Sequence, residues 1–128
     1  MNRRDMRSPL ARATGLGSAK HGAGLWWAAR ISAVALVPLT LWFVASIIAH
    51  TGSDYDTFIA WLRTPLASSL MVLLLIALFY HTALGLQVVI EDYIHSKAKF
   101  AVLILVRLAC FALAALGILA TLRIALSV

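Results

Sequence analysis

Charge is what this sequence has least of. Charged residues make up 12% of the 128 positions, against roughly 25% in soluble domains, and only 5 of them are acidic. So little charge cannot clothe a water-facing surface, which excludes an ordinary soluble domain. The single cysteine, Cys110, excludes an internal disulfide and any CxxC metal site. It lies inside an apolar segment and reads as a small packing residue. Internal repeats are missing and the apolar runs are poor in carboxylates, which argues against a transporter.

What fills the chain instead is hydrocarbon. Apolar residues account for 62% of positions and the mean hydropathy is +0.94. Uncharged runs extend from residue 31 to 49 and from 64 to 90, and a third apolar segment, 100 to 128, is broken only by Arg107 and Arg123. About 20 apolar residues cross the hydrocarbon core as a helix. These runs predict an all-α membrane protein with three transmembrane helices, at about 26–50, 65–93 and 100–126. Residues 1–24 form a basic arm rich in Gly, Ala and Ser, ordered against a partner, and 25–128 form the three-helix unit. Three spans enclose little interior, so a partner chain, a cofactor or an oligomer is expected to complete the structure.

The net charge of +6 is distributed in a way that argues against nucleic acid. Arg3, Arg4, Arg7, Arg12, Lys20 and Arg30 precede the first span, and Lys97 and Lys99 follow the second. The stretch between them, 50–65, carries Asp54, Asp56 and only Arg63. By the positive-inside rule the N-terminus is cytoplasmic, or on the equivalent inner side, and the C-terminus is periplasmic. The expected setting is the inner (cytoplasmic) membrane, with the basic residues touching anionic lipid headgroups. Arg3 and Arg4 resemble the start of a secretory signal, but the basic region is long and the apolar run spans the bilayer. The first helix is therefore read as uncleaved.

Several residues have ordinary membrane roles. Trp26 and Trp27 begin the first run, at the depth where indoles anchor. Pro38 falls in mid-span and is expected to kink that helix. Phe58, Trp61 and Leu62 share a face of a short amphipathic turn expected to lie on the outer membrane surface. Pro65 suits the first turn of the second helix. In the third, Ala109, Ala112, Ala115 and Gly117 allow close helix approach.

The stretch FYHTALGLQVVIEDYIHSK, residues 79–97, carries the chemistry. An ionisable side chain within a span is costly and raises a functional hypothesis. For His81 three roles stand open: a hydrogen-bonded structural histidine, a proton relay, and a metal ligand such as a haem axial ligand. The 11 positions to Asp92 turn a helix through about 1100°, about 20° from three full turns, and raise it by about 16 Å. His81 and Asp92 thus face the same way, with Gly85 and Val88 on the same stripe. The missing side chain at Gly85 flattens the wall beside His81, as a planar macrocycle requires and as plain helix packing also allows.

Asp92 and Tyr93 fall at the inner boundary. They suit an anchor and a solvated carboxylate, or a pair that holds a quinone, the phenol donating to a carbonyl oxygen and the carboxylate handling protons. Glu91 and His95 are expected to face water or a partner. Arg30 is expected at a depth similar to the Asp-Tyr pair, either snorkelling to phosphate or pairing with a propionate or reduced quinone. Arg107 is read as snorkelling.

These residues resemble the D-type hydrophobic membrane-anchor subunit of succinate dehydrogenase, respiratory complex II. The likeness rests on a second-helix histidine followed at the eleventh position by Asp-Tyr, here His81, Asp92 and Tyr93. It extends to GSAKHGAGLWWAARISAVALVPL, residues 17–39, and to the three-helix layout of nearly the whole chain. The resemblance implies pairing with a C-type cytochrome b anchor subunit and docking of the flavoprotein and iron-sulfur subunits on the inner side. It makes His81 one axial ligand of haem b, with the other from the C-type subunit. It puts Tyr93 on ubiquinone with Asp92 in support, and Arg30 near the propionates and quinone pocket. The stretch HGAGLWW departs from the family pattern, leaving open which arm residues, Lys20 and His21 among them, reach the haem or a partner.

On this resemblance, electrons from succinate reach quinone through the soluble subunits, and the chain alone is no complete enzyme. A fumarate reductase anchor would share the chemistry and differ in direction. A small transport or structural membrane protein could use His81 and Asp92 as a proton path or as helix glue.

Overall fold

The computed structural model describes residues 17–127, so positions 1–16 of the expected arm lie outside the described residues. Among the described residues four helices follow in order: α1 Gly17–Ala49, α2 Tyr55–Leu62, α3 Pro65–Tyr93 and α4 Ala98–Leu126. Three of them hold stretches long and apolar enough to cross a membrane, Ala23–Ala49, Pro65–Tyr93 and Ala98–Leu126. The 29 residues of α3 and of α4 span about 43 Å at 1.5 Å per residue, beyond the hydrocarbon thickness of about 30 Å. Their ends therefore reach the headgroups or the rods tilt.

The first helix begins well before the expected position 26. Between Gly17 and Pro38 no proline interrupts it, and once nucleated a helix extends through glycine at about 1 kcal/mol per residue. The segment read as an arm up to residue 24 is thus helical from Gly17 onward. Pro38 does not end the helix, although it leaves the Val34 carbonyl without its usual donor.

Local caps set the other boundaries. Gly52 takes φ +83°, a left-handed turn open to a residue without Cβ, and reverses the chain after α1. The Asp54 carboxylate accepts the Thr57 backbone N–H at 3.1 Å and starts α2. Hydrogen bonds from Thr57, the side-chain one first, hold this carboxyl below its usual range. Thr64 caps α3, with Pro65 in its first turn. Ser127, left-handed at φ 57°, closes α4.

The short helix α2 is more than a surface float. Trp61 stacks on Trp42 of α1 at 6.0 Å and lies 4.5 Å from the His50 ring, while Phe58 closes on Trp61 at 5.4 Å. Leu62 is buried. The face expected to rest on lipid instead clamps the spanning helices at the end where α1 turns into α3, because its aromatic rings gain more from one another than from the headgroup boundary.

The central rod is α3, which packs against α1 on one side and α4 on the other. The interior is thin: among the described residues the buried apolar ones are Leu62, Ala67, Leu74, Ile90 and Cys110. Large side chains such as Val34, Leu41, Leu105 and Phe111 are exposed, a surface compatible with lipid or a partner and not with water. Ala109, Ala112 and Ala115 are also exposed, so of the small residues expected at a helix contact Gly117 is the one packed tightly. A Cβ there would lie 3.2 Å from Leu75 Cδ1. Gly117→Val is expected to force α3 and α4 apart at a cost of about 1–3 kcal/mol, read as a lower unfolding temperature of the purified assembly. Gly117→Ala, which asks Leu75 to give only slightly, should lose far less.

Candidate functional site

The site is built along α3. His81 sits in its middle, half-buried, with Nδ1 2.9 Å from the Ser32 hydroxyl oxygen of α1. Ser32 is 6% exposed, and its hydroxyl donates to the Ala29 carbonyl at 3.0 Å. A polar group inside a membrane bundle needs such a partner, and this one ties two helices together across 49 positions of sequence. Nε2 has no hydrogen-bond partner among the described residues, and no buried side-chain nitrogen or oxygen is left unsatisfied there. The second ring nitrogen therefore opens at the surface of the chain.

One turn nearer the C-terminal end of α3, a Cβ on Gly85 would meet nothing within 4 Å. The wall beside the imidazole is open on this side, as expected from the sequence. Three turns along, α3 ends at Asp92 and Tyr93, both exposed, Tyr93 by 81%. Eleven residues put Asp92 about 16 Å from His81 along the axis, on the same face.

Arg30 is not level with that pair. Ser32 fixes the register of α1 against His81, and Arg30 lies two residues away, about 3 Å along the axis. Its guanidinium covers the Trp26 ring at 5.1 Å, a cation–π contact at an exposed site. Since α1 and α3 run antiparallel, the α1 residue level with Asp92 falls about 11 positions before Ser32, near position 21. The early start of α1 brings backbone to that level. The side chains of 17–22, including the open candidates Lys20 and His21, lie outside the described residues.

Arg107 departs from the snorkelling expectation. It donates from Nη2 to Gln87 Oε1 at 2.8 Å, and Gln87 Nε2 donates to Glu91 Oε1 at 3.1 Å. Glu91, expected to face water or a partner, is exposed but ends this ladder, which runs from inside α4 to the last turn of α3. The guanidinium finds its partner within the bundle because a side-chain amide stands opposite it on α3, at less cost than stretching to the headgroups.

Sequence reasoning missed Ser32 and Gln87. Each was marked by the same signal as His81, a polar side chain inside an otherwise apolar run, but neither carries charge and serines are frequent in spans. Among the described residues no three His, Cys, Asp or Glu side chains gather to hold a metal ion. The arrangement has an imidazole with one ring nitrogen unpartnered among the described residues at depth, and an acid and a phenol exposed at the end of the same rod.

Comparison with known sequences bears on what such a rod serves. Residues 4–115 match the family described as succinate dehydrogenase/fumarate reductase transmembrane subunit. The succinate dehydrogenase hydrophobic membrane anchor subunit of Rickettsia bellii (strain RML369-C) is 37% identical over 105 residues, covering 81% of this chain and 84% of the relative. That of Paracoccus denitrificans is 29% identical over 119 residues, 87% of this chain and 92% of the relative. The succinate dehydrogenase membrane anchor subunit of Reclinomonas americana is 26% identical over 92 residues, 69% and 77%. No solved structure matches the chain significantly.

Proposed function

The chain belongs to the succinate dehydrogenase/fumarate reductase transmembrane subunit family, and on that premise we propose that it anchors a succinate:quinone oxidoreductase and lines its quinone and haem b sites. The names of the relatives favour succinate dehydrogenase over the reverse reaction. The observation that carries the reading is the imidazole of His81, held at Nδ1 by Ser32 with Nε2 open, on the helix that ends in Asp92-Tyr93.

The donor set fits haem. A neutral imidazole with a free Nε2 lone pair is a normal axial ligand of iron, and the open space at Gly85 leaves room for a flat macrocycle. His81 would supply one ligand and the C-type cytochrome b subunit the other. Arg30, close in depth to His81, suits the propionate carboxylates better than Tyr93. When bound, haem supplies a place to store one electron beside the quinone pocket.

At the inner rim the Tyr93 phenol donates a hydrogen bond to a ubiquinone carbonyl oxygen, and Asp92 passes protons from the inner side. Succinate oxidation releases two electrons and two protons, and ubiquinone takes up two of each to become ubiquinol. The flavoprotein and iron-sulfur subunits dock over this end, with the N-terminus on the cytoplasmic side and the C-terminus periplasmic. The exposed apolar faces of α1 and α4 meet the C-type subunit and lipid.

Assembly tests the reading directly. A tagged copy of the chain, extracted in mild detergent from a strain lacking its own, should bring down the flavoprotein and iron-sulfur subunits with succinate-quinone activity. Recovery of the tagged chain alone, from membranes where the other subunits remain assembled, would refute it.

A further inference from the structure

We propose that Ser32 is the positioning residue for the iron-binding imidazole, accepting the Nδ1 proton of His81 and so presenting Nε2 as the ligand. The inference rests on the haem reading above. Its basis is a count of protons. The Ser32 hydroxyl has one, and its oxygen stands 3.0 Å from the Ala29 carbonyl and 2.9 Å from His81 Nδ1. A carbonyl oxygen only accepts, so the hydroxyl proton points to Ala29. The proton in the second bond then comes from His81, which makes Nδ1 the protonated nitrogen and leaves the lone pair on Nε2. The reverse arrangement would face two oxygens at 3.0 Å with no proton between them and put a proton on Nε2, where iron must bind.

The placement gives the contact its force. Ser32 is 6% exposed, and its bond to His81 is the only side-chain hydrogen bond between α1 and α3 among the described residues. Because the hydroxyl is also held to its own helix one turn back, it cannot swing with the ring. The imidazole is therefore fixed in rotation and in tautomer before iron arrives. An acceptor on the distal N–H also raises the basicity of a ligating imidazole, which favours the ferric over the ferrous state.

Two measurements test this, one with haem and one without. In the purified complex Ser32→Ala should raise the haem midpoint potential and alter the g values of the ferric signal, as the ring loses its acceptor and its fixed plane. Haem retention against a competing haem-binding protein should fall by roughly 10- to 100-fold, the usual effect of removing such a partner. Ser32→Thr, which keeps the hydroxyl, should restore all three. Nitrogen-15 spectra of the haem-free full chain in bilayers should show His81 protonated at Nδ1, and Ser32→Ala should move the proton toward Nε2.

Wild-type potential, g values and tautomer in Ser32→Ala would overturn the inference. If Ser32→Ala does not assemble, Ser32→Cys keeps the volume and exchanges oxygen for a weak sulfur acceptor. It must then show the same upward potential shift, and a wild-type potential there overturns the inference equally. His81→Ala serves as the control: unchanged haem signals in that variant refute ligation by His81, whereas signals that change there but not in the Ser32 variants refute only the role of Ser32.

Discussion

His81→Ala is expected to remove the low-spin b-type haem signature of the proposed site from the purified assembly, seen as loss or displacement of the reduced absorption bands and of the ferric paramagnetic signal. The effect is expected to be large because an axial ligand is a bond to iron, and among the described residues no other histidine side chain stands nearby to replace it. His50 is engaged just past the end of α1, donating from Nδ1 to the Ser46 carbonyl at 2.8 Å and packed on Trp61, and His95 lies beyond the C-terminal end of α3. The substitution leaves the Ser32 hydroxyl bonded to Ala29, so it strands no buried donor, and helix packing should survive. Optical spectra of dithionite-reduced complex, compared at equal flavin content, make the measurement. Bands of unchanged position and amplitude would remove His81 from the iron.

Tyr93→Phe is expected to separate the quinone reaction from the rest of the enzyme. Loss of one hydrogen bond to a carbonyl that gains charge during reduction removes about 1.5–3 kcal/mol, so turnover with ubiquinone should fall by about 10- to 100-fold. Succinate oxidation by an artificial soluble acceptor should remain close to wild type, because that path ends in the soluble subunits. Tyr93 is 81% exposed and makes no packing contact that the change would break, so a folding defect is not expected from this chain. Equal loss in both assays would mark failed assembly, and no loss in either would take the phenol out of the pocket.

These two residues show how far local pattern reaches. The eleven-residue spacing of His81 and Asp92 was legible because a helix repeats every 3.6 residues, and α3 runs unbroken from Pro65 to Tyr93 as the hydropathy implied. Arg30 shows where it stops. Its distance from the inner boundary could be counted only along its own helix, and the contact of Ser32 with His81 sets a different axial register. Arg107 is a similar case. A lone arginine in an apolar run reads as snorkelling until Gln87 of another helix is seen opposite it.

Composition and periodicity alone determined that this protein is an all-helical, three-span membrane chain with an imidazole at depth and an acid-phenol pair at one end. Those properties follow from partition between water and hydrocarbon and from the pitch of one helix, both of which act over short stretches of sequence. The tertiary structure alone decided which hydroxyl holds His81, which amide receives Arg107, that Leu75 presses on Gly117, and that α2 clamps Trp42. Each of these joins positions on separate helices, and depends on how far one rod is rotated and shifted against the next, which no pattern within a single helix encodes.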